Sequence, residues 1–255
     1  MQIVFALVAL VVGFVLLVKG ADWFVEGSAG IANKFGIPQI VIGLTIVAMG
    51  TSMPEAAVSI SAALRGSAEI TIGNVVGSNI MNILVILGLT AVVCQIAVQK
   101  TTIHYEIPMV IGVTILLAVM GLQNNIISRA EGVILLACMV VYMLYLLRLA
   151  KRGVVENEEM DAYAKQVSFG RLILLVVVGV AAIIFGSHVA VEAASAIARI
   201  FGISERFIGL TIVAFGTSLP ELVTSVAAAR RGNSDIAVGN IVGSNLFNIM
   251  FVVGI

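Results

Sequence analysis

The stretch FGIPQIVIGLTIVAMGTSMPE at 35–55 returns as FGISERFIGLTIVAFGTSLPE at 201–221, and IGNVVGSNIMN at 72–82 returns as VGNIVGSNLFN at 238–248. One shift of 166 residues, without a gap, makes 33 of the 63 positions from 20–82 identical to 186–248. A repeat of that quality confines the chain to folds built from two copies of one unit. Each copy runs through sequence apolar enough for a membrane helix, yet each holds a proline, two hydroxyls and a glutamate: GTSMPE from Gly50 to Glu55, and GTSLPE from Gly216 to Glu221.

Composition names the medium. Of 255 residues, 60% are hydrophobic and 11% charged, with a mean hydropathy of +1.15. A soluble domain is about 45–50% apolar and about 25% charged. A bilayer core about 30 Å thick takes roughly 17–25 helical residues to cross. Segments of that kind lie near 2–20, 37–64, 69–98, 104–122, 130–149, 168–191, 203–229 and 234–255. Helices are the expectation for all of them, because backbone groups left unpaired in lipid are costly. The chain is therefore expected to be an all-α integral membrane protein with about eight transmembrane helices. The long polar segment 151–167 divides it into a first half, 1–150, with five spans and a second half, 168–255, with three. Five spans precede the second copy, an odd number, so the copies enter the membrane in opposite directions. An inverted-topology repeat of this kind is transporter architecture.

Lysine and arginine set the orientation. With 151–167 on the cytoplasmic side, ten of them fall on that side and four on the other. That bias places the N-terminus outside and the linker in the cytoplasm of a multi-pass protein of the cell membrane. The first helix lacks a basic leader and is expected to be retained. No basic patch marks a nucleic-acid partner. Cys94 and Cys138 read as small buried hydrophobes, and His104 and His188 are isolated. Trp23 and Tyr105 read as interface anchors.

The motif chemistry is that of oxygen. Pro54 lacks an N–H and its ring crowds the carbonyl of Gly50, so a discontinuous helix is expected whose carbonyls near Ala48 and Met49 line a polar cavity. Gly216 and Pro220 repeat the break and free Ala214 and Phe215. Thr51 and Glu55, like Thr217 and Glu221, stand four apart and are expected on one face once helical. Ser52 and Ser218 lie beside them. In the following helix Asn74, Ser78 and Asn82 recur every four residues, as do Asn240, Ser244 and Asn248. Gly73 and Gly77, with Gly239 and Gly243, form small-xxx-small pairs suited to close helix packing. Oxygens without sulfur or imidazole suit hard cations such as Ca²⁺ or Na⁺. Two carboxylates carry −2, which one Ca²⁺ or several Na⁺ would neutralise. A glutamate at membrane depth is functional by default; Glu26 and Glu192, also paired by the repeat, lie nearer helix ends and read as access-path or packing residues.

The paired motifs GLTIVAMGTSMPE…GNVVGSNIMN (43–82) and GLTIVAFGTSLPE…GNIVGSNLFN (209–248) resemble the two alpha-repeats of the calcium/cation antiporter superfamily, in its prokaryotic sodium/calcium exchanger branch. The resemblance implies that Glu55, Glu221, Thr51 and Thr217 hold Ca²⁺. It implies one Na⁺ site from Ser52, Ser78 and the Ala48 carbonyl, a mirror-image site from Ser218, Ser244 and the Ala214 carbonyl, and Asn82 and Asn248 flanking the middle. It also implies alternating access by sliding of the first and sixth helices, and no cofactor besides the transported ions. The family has ten helices in two five-helix halves. Ile255 falls opposite Leu89, so the second half is expected to be truncated, its place filled by missing C-terminal helices or an oligomeric partner. Ca²⁺/H⁺ exchange on the same fold and a cation channel are the competing functions; an enzyme is not expected.

Overall fold

The computed structural model describes residues 2–66, 68–124, 127–151 and 167–255; most of the 151–167 linker lies outside the described residues. The chain is helical, with no strand among the described residues. The helices are α1 (Gln2–Phe35), α2 (Gln39–Thr51), α3 (Met53–Leu64), α4 (Glu69–Val93), α5 (Thr102–Leu122), α6 (Arg129–Ala150), α7 (Phe169–Ile200), α8 (Thr211–Thr217), α9 (Leu219–Arg230) and α10 (Ser234–Val252). Six are long and apolar enough to cross a membrane. The pairs α2–α3 and α8–α9 are bent by 51° and 49° at a short break, and each counts as one broken span, giving eight. The expected segments are therefore present, with α1 and α7 each running further than their apolar cores suggest.

The duplication extends to backbone detail. Glycines with positive φ end matching helices: Gly36 (60°) with Gly202 (75°), and Gly66 (77°) with Gly232 (76°). Only glycine enters this left-handed region at no steric cost, which stops a helix sharply. Wide π-turns also recur at the 166-residue shift, Gly43–Val47 with Gly209–Val213 and Asn82–Ile86 with Asn248–Val252. Each inserts extra backbone into a helix and re-aims the side chains around it.

Two packed units surround the site. In the first, α1 and α7 run antiparallel along a seam of small residues. A methyl on Gly13 would lie 2.9 Å from the Gly186 carbonyl, one on Gly20 2.9 Å from that of Gly179, and one on Gly27 2.8 Å from that of Leu172. Backbones this close gain dispersion contacts along the whole pair. In the second unit, α2 lies parallel to α10, where a methyl on Gly239 would stand 2.9 Å from the Gly43 Cα and one on Gly243 2.8 Å from the Leu44 Cα. Helices α5 and α6 cover this pair with Val113, Leu117, Leu135, Met139 and Tyr142, packed against Ile40, Leu44, Phe247 and Met250. Outward faces carry exposed Phe5, Val11, Ile115, Val141 and Leu144, the surface that lipid solvates.

The small-xxx-small expectation holds for one half. Gly239 and Gly243 are in tight contact, but added methyls on Gly73 and Gly77 would meet nothing within 4 Å. The reason is that α2 is seated on α10 along its length, while its counterpart α8 meets α4 through the turn Ala214–Thr217 and leaves Thr211, Val213 and Phe215 exposed. Gly239→Val should therefore cost about 1–3 kcal/mol of stability through overpacking, whereas Gly73→Val should stay within about 0.5 kcal/mol. Thermal unfolding of the two variants in the same detergent checks this, and an equal loss for both would contradict the packing described.

Candidate cation site

The helix breaks fall at Ser52 and Ser218, two residues before each proline, and the two residues have matching dihedrals (φ −83°, ψ 8° and φ −90°, ψ 3°). Pro54 and Pro220 then occupy the opening positions of α3 and α9, where no N–H is required. Thr51 and Glu55 are consequently not on one helical face, as their spacing suggests: Thr51 ends α2 and Glu55 lies in the first turn of α3. The bend brings a helix C-terminus, rich in carbonyls, against a helix N-terminus, whose dipole favours a carboxylate. Glu221 sits in the same way in the first turn of α9.

Both glutamates are buried, at 0% and 1% exposure. Each is clamped by the serine of the other repeat. Ser52 Oγ donates to Glu221 Oε1 at 2.8 Å, and Ser218 Oγ donates to Glu55 Oε1 at 3.4 Å. The second oxygen of each carboxylate has no partner. Behind them, Asn74 Nδ2 donates to the Glu55 carbonyl (3.2 Å) and Ser59 Oγ (2.9 Å), and Asn240 Nδ2 to the Glu221 carbonyl (3.3 Å) and Ser225 Oγ (2.9 Å).

Four asparagines close the middle. Asn82 Nδ2 donates to Asn245 Oδ1 at 2.9 Å, Asn248 Nδ2 to Asn79 Oδ1 at 3.2 Å, and Asn79 Nδ2 to the Asn245 carbonyl at 3.2 Å. These bonds use the amide nitrogens and leave Oδ1 of Asn82 and of Asn248 buried and unpartnered. Helix α9 packs on the π-turn that Asn82 opens, and α3 on the one that Asn248 opens. Four buried oxygens thus lack a donor: Glu55 Oε2, Glu221 Oε2, Asn82 Oδ1 and Asn248 Oδ1. Each unsatisfied buried group costs about 1–3 kcal/mol, more if charged. A hard cation is the ligand that such a set of lone pairs satisfies. Among the described residues no third His, Cys, Asp or Glu joins the two carboxylates, which fits oxygen chemistry and not that of zinc or copper.

The carbonyls behave unequally. The Ala48 carbonyl accepts from the Ser52 N–H at 3.0 Å and lies within reach of the Thr51 hydroxyl (3.2 Å) and the Ser244 hydroxyl (3.4 Å). In the other half the Ser218 N–H turns to Phe215 O at 3.1 Å, and the Ala214 carbonyl accepts from Thr217 Oγ1 at 3.1 Å. The Thr51 hydroxyl also faces Val47 O at 3.1 Å and Asn240 Oδ1 at 2.9 Å; its one proton serves one acceptor at a time. Ser78 is buried, and Thr217 is half-buried. The carbonyl of Gly216, freed by Pro220, accepts from Ser187 Oγ at 2.8 Å. Sequence reasoning passed over Asn79, Asn245, Ser59, Ser225 and Ser187. The first four recur at the 166-residue shift, a usable signal; Ser187 falls opposite Ala21 and carries none.

This geometry has known counterparts. The profile of the family described as "Sodium/calcium exchanger protein" matches residues 5–148 and 171–255. The chain is 41% identical over 254 residues to the putative antiporter CaxA of Alkalimonas amylolytica, covering 98% of this chain and 79% of that protein. It is 38% identical over 254 residues to the inner membrane protein YrbG of Escherichia coli, covering 96% and 77%. A solved structure of the sodium-calcium exchanger NCX_Mj, soaked with Na⁺ and Sr²⁺, superposes with a TM-score of 0.85 at 35% identity, over 98% of this chain and 80% of that one.

A ligand that binds only the folded state raises stability by about 2.7 kcal/mol at one hundred times its dissociation constant. Saturating Ca²⁺ should therefore raise the melting temperature of the purified protein. Glu55→Gln and Glu221→Gln, which keep shape and remove charge, should each lose most of that rise. A calcium-dependent shift that survives in both variants would remove the glutamates from the site.

Proposed function

The chain belongs to the sodium/calcium exchanger protein family, whose members are membrane transporters and not enzymes, and from that premise we propose that this cation antiporter exchanges Ca²⁺ for Na⁺ at the cluster around Glu55 and Glu221. The observation that carries the reading is the set of four unpartnered buried oxygens, two of them on carboxylates. Glu55, Glu221, Thr51 and Thr217 hold Ca²⁺ in this reading. Ser52, Ser78 and the Ala48 carbonyl form one Na⁺ site, and Ser218, Ser244 and the Ala214 carbonyl form the other, with Asn82 and Asn248 between them. The ions are cargo, and no cofactor is part of the proposal.

Charge explains the exchange. Two ionised glutamates carry −2 in a medium where an isolated charge costs several kcal/mol. One Ca²⁺ neutralises both, and so do Na⁺ ions on the flanking sites. Both loads together would leave uncompensated positive charge, so they exclude one another. Access alternates in this reading through movement of α1 and α7 as a pair against the rest. The glycine seam that binds the two over their length supports their moving together. A cell-membrane location with the N-terminus outside and 151–167 in the cytoplasm completes the reading. It rests on the lysine and arginine bias and on the relative described as an inner membrane protein.

Reconstituted in liposomes loaded with Na⁺, the protein should take up ⁴⁵Ca²⁺ when diluted into choline, and much less when no sodium gradient is imposed. Glu55→Gln and Glu221→Gln should each lower uptake at least about tenfold, the equivalent of about 1.4 kcal/mol. Uptake driven by a pH gradient and indifferent to sodium would transfer the assignment to Ca²⁺/H⁺ exchange. Calcium flux needing no counter-gradient would make it a channel.

A further inference from the structure

The central cluster does not use every buried carboxylate. Glu106 closes a π-turn, Thr102–Glu106, at the start of α5, and both Glu106 and Thr102 are fully buried. Tyr145 of α6 donates its hydroxyl to Glu106 Oε1. Glu106 Oε2 and Thr102 Oγ1 have no partner. Thr102 and Glu106 open and close the same π-turn, four residues apart, which places the two residues on one side of α5. Beside them Tyr142, also buried, donates to the Leu44 carbonyl at 3.3 Å, within the π-turn Gly43–Val47 of α2. No ion pair to Glu106 is formed among the described residues.

The chemistry selects the occupant. A buried carboxylate without a counter-charge is strongly unfavourable, and each bare oxygen adds to the cost. A proton on Oε2 would serve Glu106 alone and leave the Thr102 oxygen as it is. A divalent ion would bring one charge more than the single carboxylate can balance. A small monovalent ion matches the charge and satisfies both oxygens. We propose that Thr102 and Glu106 form a separate binding site for a hard monovalent cation of the Na⁺ type, with Glu106 Oε2 and Thr102 Oγ1 as side-chain ligands and Tyr145 holding the other carboxylate oxygen. The site lies on α5 and α6, neither of which contributes to the central cluster. The Tyr145–Glu106 hydrogen bond ties the site on α5 to α6, and Tyr142 of α6 carries that contact to the α2 backbone seven residues before Thr51.

The test uses protein in which the central site has been neutralised, Glu55→Gln with Glu221→Gln, so that its outcome does not depend on calcium transport. Melting temperature and the tyrosine ultraviolet difference spectrum are followed as NaCl replaces choline chloride at constant ionic strength, at two pH values. A saturable rise in melting temperature with a tyrosine spectral change is expected. Glu106→Gln should abolish both and Thr102→Val, which keeps the side-chain shape, should at least halve them. Identical behaviour in Na⁺ and choline overturns the site, as does a sodium response that survives both substitutions. A response that follows pH and not sodium overturns it in favour of a bound proton. Should Glu106→Gln fail to fold, Thr102→Val decides alone.

Discussion

The rest of the structure answers to one electrostatic constraint: two glutamates buried together, with no cationic side chain among the described residues bonded to either. Bringing a carboxylate out of water costs several kcal/mol even after relaxation, and here the cost is incurred twice within one cavity. The broken helices lower it in part, since α3 and α9 each hold their glutamate in the first turn, where the helix dipole favours negative charge. The crossed serines satisfy one oxygen on each side. The remaining oxygens stay bare, and the asparagine amide nitrogens that could have bonded them point elsewhere: those of Asn74 and Asn240 to a carbonyl and a serine, those of Asn82 and Asn248 to other asparagines. The cluster is arranged to withhold donors, which leaves the charge to be balanced by a mobile ion.

Withholding donors requires a scaffold, and the π-turns provide part of it. Asn82 and Asn248 each open one, and the wider turn rotates the asparagine relative to Ser78 and Ser244 one turn earlier. Asn79 and Asn245, each one residue on from the serine and so about 100° round the helix, meet across the repeats, while Asn82 and Asn248 keep their side-chain carbonyl oxygens buried and unpartnered.

Much of this was legible in the residues. The shift of 166 showed the duplication and, with an odd number of spans preceding the second copy, their inversion. Glutamate, threonine, serine and asparagine recurring in both copies showed which polar groups act together. Two things escaped for physical reasons. The break lies at Ser52 and not at Pro54, because proline is well tolerated in the first turn of a new helix and only forbids continuation from the old one. The π-turns leave no local sequence signature, since they are fixed by what the helix must face. Gly73 and Gly239 have closely similar neighbours in sequence, yet one meets open space and the other a backbone. Tertiary surroundings alone separate them.

That divergence between similar sequences extends to the surroundings of α1 and α7. At one end Arg231, just beyond α9, reaches Asp22 at 3.6 Å and Glu26 at 3.4 Å on α1. The 166-residue shift maps this set onto Arg65, His188 and Glu192, and among the described residues no ion pair joins those three. One end of the bundle is fastened by charge and its counterpart is not. Exposed ion pairs of this geometry are worth about 0–1 kcal/mol each, enough to favour one arrangement by a few-fold and far too little to lock it. A transporter that must visit both sides of a membrane needs its two arrangements close in energy. Duplicated motifs at the centre supply that closeness, and the differences around them, an aspartate against a histidine or a buried α2 against a partly exposed α8, tilt the balance between the arrangements.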